Sequence, residues 1–158
     1  MQRLNYFSHF KPGFDLLMDL ERTIKSSSLD HGLIHLVKLY ASQLNGCAFC
    51  VDMHAKEAKI LGERELRIYH LPVWKESNLF TDREKAAFRW TKEVTELSQA
   101  SISDESFQAA KSHFDDKELT ELTMVIGVIN VWNRFAATFH TEPGSMDKAM
   151  GLERASLA

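Results

Sequence analysis

The sequence predicts an all-α domain, and three observations carry that prediction. Apolar residues recur at spacings of three and four along most of the chain, residues that start and stop helices punctuate those stretches, and no segment alternates with the period of a strand. A length of 158 residues with 44% hydrophobic content suits a single domain with one core.

Taken in order, Phe14, Leu17, Leu20 and Ile24 follow "KPG" as one apolar stripe, and "SSS" at 26 to 28 ends the first helix. Asp30 is placed to cap a second helix carrying Leu33, Val37, Tyr40 and Leu44, which Asn45-Gly46 terminates. A third helix is expected from about Cys47 to Leu61, with Gly62 closing it. The short segment "ERELRIYHL" stops at Pro72, because proline disfavours helical geometry in the residue before it. "TDRE" at 81 to 84 has capping-box spacing and opens a helix with Ala87, Phe88, Thr91 and Val94. "SDES" at 103 to 106 opens a shorter one through Phe107, Ala110 and Phe114. The last helix, from about Lys117 to Phe139, is apolar on more than one face, which suits a central position or a subunit contact. The tail "SMDKAMGLERASLA" gives no placement, and no repeat, low-complexity tract or glycine-rich phosphate loop interrupts the pattern.

Charge and targeting exclude several function classes. Nineteen basic against 22 acidic side chains leave a net charge of −3, with no basic stripe suited to a phosphate backbone, so nucleic acid is not an expected partner. The N-terminus lacks the apolar run of a signal peptide, and no stretch approaches the roughly 20 apolar residues of a membrane span. The expected location is the cytoplasm, where thiols are kept reduced and a close cysteine pair serves catalysis or metal binding rather than stapling.

Both cysteines fall in "NGCAFCVDMH", residues 45 to 54. With the third helix starting at Gly46-Cys47, Cys47, Cys50 and His54 lie at i, i+3 and i+7 on one face. Unpaired N–H groups and the helix dipole favour a thiolate in that first turn, lowering a thiol pKa from about 8.5 to about 7 or below. His54, one turn beyond Cys50, is placed to take a proton and return it to a leaving group. A two-residue spacer lets one cysteine attack and the other resolve, which suits thiol–disulfide exchange or peroxide reduction. The plain alternative is two small buried hydrophobes beside a satisfied histidine. Zinc held by His35, Cys47, Cys50 and His54 is disfavoured by geometry. Seven residues of helix rise about 10 Å, whereas two ligands of one zinc lie within about 4 Å of each other.

The segments "ASQLNGCAFCVDMHAKEAKILG", "LPVW..S.LFT.RE.AA..W" and "ELT..I..INVWNR.A" resemble the alkylhydroperoxidase D (AhpD) and carboxymuconolactone decarboxylase family, in its AhpD-like branch, from about residue 30 to 144. The resemblance implies an all-α, single-domain helical bundle assembling into trimers or hexamers, and a peroxidase active in antioxidant defence without a bound metal or organic cofactor. It implies Cys50 as the peroxidatic thiol, Cys47 as its disulfide partner and His54 as the proton relay. The reductant it implies is an external dithiol, lipoamide-bearing or thioredoxin-like. Family members commonly carry a glutamate twelve residues before the first cysteine; here His35 stands there, and Tyr40 stands where a basic residue is common. His35 is therefore expected either to replace the relay carboxylate, leaving His54 a more acidic base, or to be a core-facing helix residue. A protein disulfide reductase and a metal-binding structural oligomer remain the alternative readings. Trp132 and Tyr40 read most simply as core, Asn133 and Arg134 as partners of interior polar groups or of a subunit contact, and His9, His31, His70, His113 and His140 as surface or structural.

Overall fold

A computed structural model describes residues 1–97 and 99–156, so the last two residues of the tail lie outside the described ones. Nine α-helices are present among the described residues: α1 (Tyr6–His9), α2 (Lys11–Lys25), α3 (His31–Leu44), α4 (Ala48–Ile60), α5 (Glu65–His70), α6 (Asp82–Thr95), α7 (Asp104–Lys111), α8 (Asp116–Thr138) and α9 (Asp147–Met150). Two 3-10 turns, Leu71–Val73 and Leu152–Ala155, complete the chain, and no strand occurs among the described residues. The all-helical expectation is met.

The starts of the helices follow the polar residues that anticipated them. Asp30 accepts the Leu33 N–H at the start of α3, and Thr81 and Glu84 form a reciprocal capping box on α6. Asp115 and Glu118 form a second capping box at the head of α8, which begins at Asp116, one residue before the expected start. The core lies between α3, α6 and α8. Leu36, Val37, Leu39, Phe88, Leu122, Val125, Ile126 and Ile129 are almost wholly buried there. Tyr40 belongs to this core, edge-on to Phe88 and to Trp74 at centroid distances of 5.9 and 6.4 Å.

α8 is the central helix, in contact with α2, α3, α4, α6 and α7. Its apolar excess is mostly used inside the chain; Met124 and Val131 remain on its exposed side. No helix among the described residues is long and apolar enough to cross a membrane. Two features of this frame position the site. α3 and α4 pack against one another along their lengths, and the C-terminal half of α8 lies beneath the turn that joins them.

Candidate active site

The turn between α3 and α4 is built by backbone constraint and by asparagines. Gly46 adopts φ +64°, left-handed geometry that costs a residue with a β-carbon roughly 1–2 kcal/mol. The Asn45 side-chain amide donates to Asn130 Oδ1 at 2.9 Å and Asn133 Oδ1 at 2.8 Å, both on α8. Asn133 Nδ2 in turn donates to Ser42 Oγ at 3.0 Å, and the Cys47 N–H donates to the Ser42 carbonyl at 3.0 Å. Asn133 is thus the interior polar partner the sequence suggested, whereas Arg134 is exposed and bonds the Asn130 carbonyl on its own helix. Trp132 is partly buried and donates its indole N–H to Glu21 at 3.0 Å.

Cys47 is the N-cap of α4 rather than a residue of its first turn, one position outside the helix that the spacing predicted. Cys50 is the third helical residue, and its N–H lies 3.4 Å from Cys47 Sγ. The two sulfurs form a disulfide across a Cα–Cα distance of 5.4 Å. Both cysteines are only 1% exposed, shielded by Ala136 of α8 and by Phe49. The helix-start setting expected for the pair is present, and it is closed to bulk solvent.

His54 follows Cys50 by one turn and is buried. Its Nδ1 lies 2.7 Å from Glu57 Oε2, while its Nε2 is buried without a hydrogen-bond partner. His35, projecting from α3, places its Nδ1 3.3 Å from the same Glu57 oxygen, close enough for an ion pair but off the line of a hydrogen bond. The two imidazole centroids are 6.5 Å apart. One carboxylate therefore joins the two histidines, and it comes from α4. The family's glutamate position on α3 is filled by His35, and a glutamate on the neighbouring helix supplies the negative charge instead.

Electrostatics at this cluster are dominated by burial. Removal from water pushes the His54 imidazole below its ordinary value of 6.5; Glu57 pulls it back up, and the Lys38 ammonium and His35 add smaller downward pushes. The expected acidification of His54 is present, but its main cause is desolvation rather than repulsion from His35. Burial alone would raise Glu57, yet its contacts with His35 and His54 outweigh that and hold the carboxyl far below the usual carboxylate range. Glu57 is thus ionised at neutral pH. It accepts from Nδ1–H of His54 and leaves Nε2 as the free basic nitrogen.

Sequence reasoning missed Glu57 and Lys38. Glu57 follows Cys50 by seven residues and His54 by three, so the helical spacing that linked Cys50 to His54 also placed Glu57 on that face. Lys38 is buried and ion-paired to Glu21, the residue that also receives the Trp132 indole N–H. Nothing in the local pattern marks that lysine as internal.

Similarity to known proteins agrees with this architecture. Residues 13–93 match the sequence pattern of the carboxymuconolactone decarboxylase family. The uncharacterised protein YdfG of Bacillus subtilis is 36% identical over 135 residues, covering 85% of this chain and 92% of that protein. A crystal structure of an Agrobacterium tumefaciens protein of unknown function, provisionally described as an AhpD antioxidant defence protein, is 41% identical. It superposes with a TM-score of 0.87 over 90% of this chain and 98% of that one. A peroxidase-related protein from Ralstonia eutropha JMP134, described as an alkylhydroperoxidase AhpD core, shares the fold at 19% identity and a TM-score of 0.78, over 89% and 75% of the two chains. The helical bundle, the cysteine pair at the head of α4 and these similarities together place the chain in the carboxymuconolactone decarboxylase family, among its AhpD-like members.

Proposed function

We propose that the protein is a cytoplasmic dithiol peroxidase that reduces hydrogen peroxide or organic hydroperoxides. The observation that carries this reading is the disulfide-competent pair Cys47–Cys50 at the head of α4, with the Glu57-bound His54 one turn away. The antioxidant description of the Agrobacterium tumefaciens relative points the same way.

In the reduced protein, His54 Nε2 takes the Cys50 thiol proton, and the amides of the first turn favour the resulting thiolate. The thiolate attacks one oxygen of the peroxide. The O–O bond breaks, Cys50 becomes a sulfenic acid, and the departing alkoxide receives the proton from His54 and leaves as an alcohol. Cys47 then attacks the sulfenic sulfur, forming the Cys47–Cys50 disulfide and releasing water. Two electrons from an external dithiol restore both thiols as that dithiol closes to its own disulfide. Glu57 holds His54 in the tautomer with a free Nε2 and stabilises the imidazolium between the two proton transfers, with His35 sharing the same carboxylate.

Burial separates this reading from protein disulfide reduction. A peroxide is small enough to enter a site whose cysteines are 1% exposed, whereas a disulfide on a folded protein surface is not. The same argument favours a slender lipoamide arm as reductant over a broad thioredoxin surface, after local opening at the head of α4. Subunit association into trimers or hexamers belongs to the same proposal, with the exposed Met124 and Val131 of α8 available for contact.

The test is a single-turnover assay. Prereduced protein is expected to consume about one peroxide per chain and to yield the Cys47–Cys50 disulfide by peptide mass spectrometry, and Cys50→Ser is expected to fall to the protein-free rate. Peroxide loss unchanged in Cys50→Ser, or insulin reduced faster than peroxide, refutes the assignment.

A further inference from the structure

The arrangement of His35, His54 and Glu57 has a second chemical capacity beyond proton transfer. We propose that these three side chains form a binding site for a divalent first-row transition-metal ion of the zinc class, with Nδ1 of each imidazole and Glu57 Oε2 as ligands. The cysteines are not part of it.

The donor set comes first. Two imidazoles and a carboxylate with open remaining positions are a ligand set used by zinc and by non-haem iron. Bonds of about 2.0 to 2.1 Å at tetrahedral angles put neighbouring ligand atoms about 3.4 Å apart. Here Glu57 Oε2 lies 2.7 Å from one Nδ1 and 3.3 Å from the other, and one donor atom from each of the three residues lies within 4.8 Å of the others. Three vertices of a coordination shell are therefore nearly in place, on two helices packed along their lengths. A proton relay alone does not explain the 3.3 Å contact, because His35 Nδ1 is buried, close to the carboxylate and not aligned to donate to it. A shared cation gives His35 Nδ1 the partner it lacks and takes the place of the proton between His54 Nδ1 and Glu57.

The charge balance also favours a cation. Glu57 is the carboxylate paired with both imidazoles, and the Lys38 ammonium acts on His54. Lys38 is already paired with Glu21, so its charge is largely cancelled. Access is from the α3–α4 edge, where the His35 and Glu57 side chains are 14% and 18% exposed against 5% for His54.

Occupancy has a consequence for the proposed peroxidase, and this consequence alone rests on that reading. A cation on Nδ1 of His54 moves the ring proton to Nε2, removing the base next to Cys50 and disengaging Glu57 from its orienting role. Metal binding and peroxide turnover become mutually exclusive.

The experiment uses the full-length, disulfide-closed protein, freed of metal by chelator, titrated with zinc chloride by calorimetry at pH 7.5. One zinc per chain is expected. His35→Asn and Glu57→Gln, chosen for similar size and checked by thermal melting, are expected to weaken binding at least tenfold. His31→Ala and the double variant Cys47→Ser/Cys50→Ser are expected to bind like the parent. Unchanged affinity in His35→Asn and Glu57→Gln, or loss of binding in the double cysteine variant, overturns the proposal. A variant-free measurement covers a folding failure. Zinc is expected to slow diethylpyrocarbonate modification of His35 at least fivefold with His31 unaffected, and equal rates overturn the site. Zinc binding and peroxide consumption fail independently, since Cys50→Ser removes only the second.

Discussion

Glu57 and Glu84 are two partly shielded carboxylates that interact with side chains on other segments, and both are held below the ordinary carboxylate range. For both, burial pushes the value up and a cationic partner overrides it. Glu84 is held by Arg67, which also grips Glu63 at 2.8 Å and lies over the Phe80 ring at 4.9 Å, and it closes the capping box with the Thr81 N–H at 2.8 Å. Glu57 is held by two imidazoles. A guanidinium does not lose its proton near neutral pH, so the Glu84 pair is a fixed staple between α5 and α6. An imidazole does, so the partners of Glu57 can change state near neutral pH, as the proposed proton relay requires. The direction of a carboxylate's shift does not distinguish a fixed staple from a group able to exchange protons; the chemistry of its partner does.

The largest effect expected from breaking this comparison is on activity. Glu57→Gln removes the charge that orients His54 and is expected to lower the rate of peroxide consumption by about 10²-fold or more, within the range for lost general acid–base catalysis. Stopped-flow measurement of the reduced protein checks this, and Glu84→Gln in the same assay is expected to match the parent.

The Glu84 pair acts on stability. Glu84→Ala loses a partly buried ion pair and one half of a capping box, and is expected to cost about 2 kcal/mol in urea denaturation. A cost within about 0.5 kcal/mol of zero would instead make the Arg67 cluster a solvated surface feature.

The smallest and most diagnostic effect is on the pH profile of stability. The folded His54 value is below 6.5, so as pH falls past 6.5 the unfolded chain takes up a proton that the native state refuses, and stability declines from there. The carboxylates act lower. Glu57 and Glu84 have folded values below 4.5, so the stability they contribute above 4.5 is lost as pH falls from 4.5 through those folded values. Two successive declines are expected on acidification. His54→Asn is expected to flatten the upper one and to leave the Glu84 part of the lower one; an unaltered upper slope would show that burial of His54 is not its origin.

Much of this was legible along the chain because it is local. Asp30, Thr81 and Glu84 sit within three residues of the N–H groups they satisfy, so a linear pattern suffices to place them. The helical stripe that joins Cys50 to His54 is equally local, and it contained Glu57 as well. What was not legible there was that His35, on another helix, shares the Glu57 carboxylate. That depends on how α3 packs against α4. The Lys38–Glu21–Trp132 chain and the asparagines from α8 that brace the α3–α4 turn are likewise products of packing between segments distant in sequence.

By itself the amino-acid sequence determined the helical class, the helix starts capped by Asp30 and Thr81, and the place of Cys47 and Cys50 together at the head of one helix, because each depends on hydrogen bonds and side-chain spacings that repeat within a few residues. Only the tertiary structure decided which carboxylate serves the histidines, that the sulfurs are closed to solvent, and which way the His54 imidazole is shifted. Desolvation and charge pairing act through space, and their sign at one side chain is set by whatever the fold brings against it.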